Sequence, residues 1–572
     1  MKNFKLVTFL VLLNLLFIQK LKATEYTVYS IAELKAAITN SAANDIINLA
    51  DGTYLNTTLT ISKNRITVKA LNLGGVFLNG TNNITISGNY VTFSGFQFTS
   101  GDIGSNSLLK ISGDYNKITH LNFSNYYAKK YIEIQEGSKY NQVSYCNVEK
   151  KPAAAEIGCT IQISTSPTVP GYHKISYCSF QNYYGLGGDN GNEPIRIGLG
   201  AEYLNKSGTI VEHCYFDNTG SGDSESISIK CQENVVRYCT FTNQQNAMLV
   251  FRNGDNNVAY SNFFINAGGI RVKEANNIYC YNNYFENSGL GSSADAVTYV
   301  YVSPSAPTTL DPPRTINLNN INFIHNTFYN CGDIDLGGIG ATNNTWANNI
   351  FKKSSNAGDI FNNPNSGTSW LGNIRQGTLG FSIPTEMSNT PPNLALNSDG
   401  FYGLSSSSPV NNANSSYPTI LDIANIDDDP NLLFDISGQA RPATLTLKDV
   451  GCDEYYSTGT TTNHPLTLAE VGPSYLVTLA TGVIDVRTTK AIVFPNPVKN
   501  NLTIQFPNTI NGDTEVTIIT VNGQVVKKQI IAQIELIDYQ KQLDVTDLKN
   551  GIYLMQLHST NYSKVLKIVI QK

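Results

Sequence analysis

The feature that most constrains this chain is that its middle repeats itself. Units read NRITVKALNL from Asn64, NYVTFSGFQF from Asn89, NKITHLNFSN from Asn116 and NQVSYCNVEK from Asn141. They continue as HKISYCSFQN from His173, TIVEHCYFDN from Thr209, NVVRYCTFTN from Asn234 and NVAYSNFFIN from Asn257. NIYCYNNYFEN from Asn277, NINFIHNTFYN from Asn320 and NTWANNIFKK from Asn344 follow. Spacings are mostly 20–27 residues and stretch to 32, 36 and 43 where loops insert. A unit this short cannot bury a face alone, so its neighbours must stack on it, which makes a solenoid. β-Branched and aromatic residues alternate within each unit, so the stacked elements are strands that pair with the next coil. The expected fold class is all-β: a right-handed parallel β-helix. Asn at the turns suits amide ladders and left-handed backbone. A leucine-rich repeat, the competing solenoid, lacks its LxxLxL pattern here.

Nine cysteines accompany the repeat. Six of them (Cys146, Cys178, Cys214, Cys239, Cys280 and Cys331) lie in or beside its units, and no even disulfide framework is evident. The matched SYC, SYC, EHC and RYC positions predict an internal ladder of buried thiols.

The composition excludes two classes of function. Charged residues are 15% and hydrophobic ones 41% of 572, which is not a disordered composition. The net charge is −5, with 39 Lys and Arg against 44 Asp and Glu, so no basic excess exists for nucleic acid. The ends carry addresses. Lys2 and Lys5 precede an apolar run, Leu6–Ile18, and Ala23 follows, which predicts a signal peptide over residues 1–23. The run is too short to span a bilayer, and no later stretch is apolar enough. Residues 24–455 are expected to form the β-helix, with ISGQARPATLTLKDVGCDEY (Ile436–Tyr455) closing it, and the Thr- and Gly-rich stretch 456–490 to be a linker. Residues 491–572 alternate like strands about Asn-Gly turns and predict a small β-sandwich. Their VFPNPVKNNLTIQF, TVNGQVV and LKNGIYLMQL segments resemble the C-terminal sorting domain of type IX secretion substrates. That resemblance implies the type IX machinery as a partner and a secreted or cell-surface location.

A solenoid turns sequence into columns. EPIRIG (Glu193–Gly198), ESISIK (Glu225–Lys230), MLVFR (Met248–Arg252) and GIRVK (Gly269–Lys273) align as successive rungs. Lys230, Arg252 and Lys273 then share one column, and Glu193 and Glu225 another. Asp223 lies two residues before Glu225, on the same side of the strand. Paired carboxylates with an amide oxygen make a hard oxygen site suited to Ca²⁺. A Lys beside an Arg, near such an ion, can remove a weakly acidic carbon proton and stabilise the resulting anion. The bland alternative is that these charges merely solvate one face of the helix.

The ordered stretch NGNEPIRIG, VEHCYF, GDSESISIKCQEN, LVFRNG, NNVAYSNFF, GGIRV and NNIYCYNNYF looks like polysaccharide lyase family six, the family of alginate lyases and chondroitinase B. The resemblance is densest across Asn190–Phe285 and extends in organisation over Tyr26–Tyr455. It implies a secreted lyase that cleaves an anionic uronate polysaccharide by Ca²⁺-assisted β-elimination. By position it places the Brønsted base on Lys230 and the acid, or anion-stabilising arginine, on Arg252. It places the Ca²⁺ carboxylates on Asp223 and Glu225 and the Ca²⁺ asparagine on Asn190, with Asn192 the near alternative. Arg271 of GGIRV resembles an arginine that contacts substrate in alginate-cleaving members, which favours alginate over a dermatan-type chondroitin. Arg196 and Asn253 complete the expected substrate contacts. The sequence departs from the family twice: Asp223 stands for a glutamate, and Asn253 for the histidine after the catalytic arginine. The competing functions are a glycoside hydrolase using Asp223 and Glu225 as its acid pair, and a noncatalytic glycan-binding β-helix.

Overall fold

Alternation within each unit sends one set of side chains inward, and the coil above supplies the missing backbone partners. In a computed structural model of the chain, fourteen such strands, from Glu25–Val28 to Thr368–Leu371, pair in parallel into one long sheet. The model describes residues 23–152, 158–184, 192–221, 223–289, 300–303, 318–336, 342–353, 358–362, 367–382, 387–423, 427–456, 461–476, 491–494, 496–506, 513–520, 522–532, 540–559 and 563–572. The expected signal peptide thus lies outside the described residues, apart from Ala23.

Each coil has three faces. A strand of the long sheet, such as Ile210–Glu212, is followed by a short second strand, Tyr215–Asp217, and a third, Glu225–Ile229. The second and third faces belong to one 24-stranded sheet. They merge where Thr240–Arg252 and Phe263–Lys273 run through the corner without a break: Thr240–Thr242 pairs with Tyr215–Asp217, and Met248–Phe251 with the Glu225–Ile229 strand. The core between the faces is a set of columns. Phe180, Phe216, Phe241, Phe264, Phe285, Phe328 and Phe351 stack with centroids 4.5–5.0 Å apart. The helix Ile31–Asn40, whose Ser30 Oγ accepts the Glu33 N–H at 3.2 Å, closes the first coil by burying Leu34 and Ile38.

The corner between the first and second faces is the most repetitive part. Tyr145, Tyr177, His213, Tyr238, Ser261, Asn282, His325 and Asn348 occupy it with φ of 49–54°. That conformation is unusual for tyrosine and histidine. Stacking offsets it: the Tyr145–Tyr177, Tyr177–His213 and His213–Tyr238 rings lie parallel at 4.7–5.0 Å. The next residue in each corner points inward. It is Cys146, Cys178, Cys214 and Cys239 in four successive coils, all buried free thiols, as the matched SYC, SYC, EHC and RYC positions predict. The same column then continues as Asn262, Asn283, Asn326, Asn349 and Asn373. There, from Asn283 on, each side-chain oxygen accepts the backbone N–H and the side-chain N–H of the asparagine one coil earlier at 2.8–3.1 Å.

After the last coil the chain turns back along the solenoid. Arg441, fully buried, binds Glu454 (2.5 Å), Asn282 Oδ1 (2.8 Å) and the Gly451 carbonyl (2.9 Å), which fixes the closing segment. The stretch expected as a linker is not all linker. Asn463 Nδ2 donates to the Ser261 carbonyl (3.2 Å), the Leu466 N–H to Thr240 Oγ1 (2.8 Å) and the Gly472 N–H to the Tyr177 carbonyl (2.8 Å). This first unit ends at Ser474. The second, Tyr475–Lys572, is a sandwich of a three-stranded and a four-stranded antiparallel sheet around Leu502, Ile504, Val516, Ile518, Met555 and Ile568. No helix among the described residues is long and apolar enough to cross a membrane.

The two halves of the corner column differ in what they cost to break. Asn283→Leu orphans the buried backbone and side-chain donors of Asn262 at ~1–3 kcal/mol each and is expected to destabilise the protein by ~2–5 kcal/mol. Cys214→Ala removes one sulfur and leaves a small void, at about 1 kcal/mol. Urea unfolding midpoints of the two variants check the order.

Candidate active site

Four strands carry the charged columns: β1 (Asn192–Ile197), β2 (Glu225–Ile229), β3 (Thr240–Arg252) and β4 (Phe263–Lys273). Their apolar residues Ile195, Ile197, Ile227, Ile229, Leu249, Phe251, Ile270 and Val272 are buried in the core, so the alternate residues face outward. Ile229 pairs with Phe251 and Arg252 with Lys273, which sets Lys230, Arg252 and Lys273 one above another. Arg196, Ser228, Val250 and Arg271 form the neighbouring column. Ile195 pairs with Ile227, so Glu193 stands beside Glu225. Adjacent strands are ~4.8 Å apart, so successive column members are within contact range.

The carboxylates and guanidinium groups are paired rung by rung. Glu193 takes both Nε (2.9 Å) and Nη2 (2.6 Å) of Arg196, whose Nη2 also donates to the Gly158 carbonyl at 3.0 Å. Arg252 Nη1 donates to Glu225 Oε1 at 3.0 Å. Asp223 and Glu225 are both buried, and Asp223 Oδ1 accepts the Glu225 N–H at 2.8 Å, which orders the two carboxylates on one turn. Glu225 Oε2 is buried and has no hydrogen-bond partner among the described residues. Burial and the adjacent Glu225 push the Glu193 carboxyl up, against the pull of Arg196.

Lys230 lies half-buried between these rungs. Its ammonium makes no hydrogen bond or ion pair among the described residues. Burial, Arg196 and Arg252 push its pKa below the ordinary lysine value, and Glu225 and Glu193 oppose them. Arg271 is half-buried on the outward face of β4.

Two expected contacts are placed otherwise. Asn253 sits at φ 73° in the turn after β3, buried, with its Nδ2 donating to Glu274 Oε2 at 2.6 Å. Its amide is therefore held in the turn instead of being presented on the charged face. Gly254 follows because a Cβ there would collide with the Cys231 backbone. Asn190 lies outside the described residues. Asn192 is committed to the fold: its Nδ2 donates to the carbonyls of Pro152 (2.9 Å) and Tyr184 (3.1 Å), and its Oδ1 accepts Lys151 Nζ at 2.8 Å.

Lys151 is the residue that sequence reasoning missed. It is fully buried, donates also to the Ala128 carbonyl (3.1 Å), and lies 5.2 Å from the Tyr131 ring centroid. Burial pulls its pKa down to about 8. Through Asn192 it ties the Lys151–Pro152 segment to the start of β1. The second lysine of the KKP stretch carried no sequence signal for this role.

The donor set fits a hard cation in part. Asp223 and Glu225 supply buried carboxylate oxygens, one of them unsatisfied, although no group of three or more His, Cys, Asp or Glu among the described residues encloses a metal alone. An amide or substrate oxygen would have to complete the shell.

Comparison with known proteins gives the family and the fold. The family model of chondroitinase B matches residues 28–358, and that of the secretion system C-terminal sorting domain matches residues 492–571. No curated protein matches the chain. Among solved structures, the alginate lyase AlyGC of family PL6 superposes with a TM-score of 0.60 at 21% identity, covering 71% of this chain and 58% of its own. A PL6 alginate lyase in complex with a trisaccharide gives 0.56 at 18% identity, over 67% of this chain and 91% of that one. The alginate lyase AlyF-OU02, in complex with G6, gives 0.54 at 17%, over 68% and 92%. At these identities the likeness is one of fold, and this chain spans under three-fifths of the AlyGC length. The sorting domain assigns the chain to type IX secretion and so to the cell surface or the exterior. With more than half of its length matched by one family model, and with the parallel β-solenoid that model implies, the chain belongs to the chondroitinase B family.

Proposed function

We propose that the protein is a secreted polysaccharide lyase that cleaves a uronic-acid polymer, alginate by preference, by β-elimination. The observation that carries this reading is Lys230: a half-buried ammonium without a hydrogen-bond partner among the described residues, near two guanidinium groups and beside buried carboxylates. A general base needs to be neutral near its working pH, and that environment lowers the pKa as required. The alginate preference is supported by Arg271 in the GGIRV segment and by the alginate lyases among the structures of similar fold. A dermatan-type chondroitin is the second substrate class of the family.

In this mechanism Lys230 Nζ takes the C5 proton of a uronate. The electron pair of that C–H bond forms the C4–C5 double bond, and the C4–O bond breaks. Arg252 stabilises the departing oxygen, directly or through water, and its tie to Glu225 holds the guanidinium over the rung next to the base. Arg196 adds positive charge on the other side of Lys230, and Arg271 binds substrate carboxylates along the same face. Asp223 and Glu225, with Asn190, would hold Ca²⁺. When bound, the ion would neutralise the substrate carboxylate whose charge opposes loss of the C5 proton.

Incubation with alginate is expected to yield products with unsaturated, ultraviolet-absorbing ends. Lys230→Ala is expected to lower kcat by ~10²–10⁴-fold or more, with retained affinity for polymer in gel-shift assays. Cleavage at wild-type rates by this variant would exclude the proposed base.

The pH profile carries a sign. Lys230 acts deprotonated, so kcat rises with pH along an acidic limb, and the depressed pKa places that limb below the ordinary lysine value. Arg196→Gln removes a positive neighbour and is expected to move the limb to higher pH. A profile unmoved by this change would detach Arg196 from the base.

Terbium luminescence, with Tb³⁺ as a stand-in for Ca²⁺, is expected to titrate in the wild type and to weaken by about tenfold or more in Asp223→Asn. Equal titration of both proteins would remove these carboxylates from any cation site.

A further inference from the structure

A cavity of about 480 Å³ opens beside the closing segment, away from the charged strands. That is the size range of sites for single small molecules. Its walls are the hairpin Leu394–Leu396 and Tyr402–Leu404, the segment Asp453–Tyr456, and Gln439 and Thr461. The lyase reading gives it no task.

Its lining is selective. No Lys or Arg among the described residues contributes, so nothing described there would pair with a uronate carboxylate or a sulfate. Three carboxyl groups line it instead: Asp399, Asp453 and Glu454. Asp453 is the informative one. It is 9% exposed and spends Oδ2 on the Leu404 N–H at 2.8 Å, while Oδ1 has no partner among the described residues. The side-chain amide of Gln439 is likewise uncommitted among the described residues. Tyr455 and Tyr456 bring two aromatic rings, and the second is fixed by its hydroxyl on the Ala440 carbonyl.

A cation is the obvious occupant for such a lining, and the surroundings speak against it. The carboxylates behind the wall are already filled. Asp435 accepts the Gln439 and Glu454 N–H groups (2.7 and 3.0 Å), and Asp449 those of Asn412 and Tyr455 (2.6 and 2.7 Å). No metal-sized group of acids occurs among the described residues. Burial pushes the Asp453 carboxyl up to about 8, so at neutral pH it is largely uncharged and can both donate and accept a hydrogen bond.

The geometry points to a binding site for a neutral pyranose unit, held by hydrogen bonds from its hydroxyls to Asp453 and Gln439 and by stacking on Tyr455 or Tyr456. A pyranose offers several hydroxyl donors on its edge and a C–H face that packs on an aromatic ring. The site is independent of the uronate-cleaving face and would bind an uncharged glycan whether or not that face is catalytic.

Saturation-transfer NMR on the full chain, with methyl glycosides of glucose, galactose and mannose, tests this. At least one glycoside is expected to bind with a millimolar Kd. Tyr456→Ala is expected to weaken it about tenfold. Ser406→Trp, at an exposed rim position, is expected to close the mouth and abolish binding with the melting temperature unchanged. The proposal fails if no neutral glycoside binds, or if binding survives Ser406→Trp. It fails equally if calorimetry with CaCl₂ shows a heat that Asp453→Asn removes.

Discussion

The whole structure depends on the parallel hydrogen-bond ladder between one coil and the next. An antiparallel hairpin fixes a residue's neighbours through a turn. Here they are fixed through register with a strand a full coil away, at a separation of ~4.8 Å. Register along Ile195, Ile227, Leu249 and Ile270 puts four apolar residues in one core column. It necessarily puts the intervening polar residues in an outward column. Core packing and the charged face are therefore the same constraint seen from two sides. A slip of one residue in β2 would turn Lys230 inward and Ile229 out.

Corners decide how far that ladder runs. Over most of the solenoid the second and third faces are separate short strands with a turn between them. At β3 and β4 the strands continue through the corner, so the rungs bearing Arg252 and Arg271 are longest where the charges cluster. Arginine pairs then hold the face at two levels, Arg196 on Glu193 and Arg252 on Glu225. Each guanidinium is anchored by a carboxylate on its own or the neighbouring rung, which costs less than leaving buried charges alone.

The parts of this legible in the sequence are those that the repeat writes out. The β-helix and the Lys230, Arg252 and Lys273 column follow from aligning EPIRIG, ESISIK, MLVFR and GIRVK, because alternation fixes which residues point outward. The thiol column followed from the same alignment. What escaped depends on contacts that alignment does not encode. Asn253 looks like a surface residue at the end of β3 until its left-handed φ turns it onto Glu274, a coil away. Lys151 sits in a turn of variable length, where periodicity says nothing. Residues 462–472 look like linker because, Asn463 apart, they bind through backbone N–H groups of Leu466 and Gly472, which any sequence supplies.

Isolation of Lys230 is the last consequence of the pairing. A lysine on an acidic face ordinarily finds a carboxylate, and the resulting ion pair raises its pKa and removes it as a base. Here Glu193 is saturated by Arg196, and Arg252 occupies one oxygen of Glu225. The other oxygen of Glu225 has no partner among the described residues and is not used by Lys230. Lys230 is thus close to two negative groups whose charge is largely compensated and to two positive groups whose charge it feels. The arginines do two tasks by one arrangement. They make buried acids tolerable beside the core, and in doing so they leave Lys230, the first member of its column, without a counter-ion among the described residues.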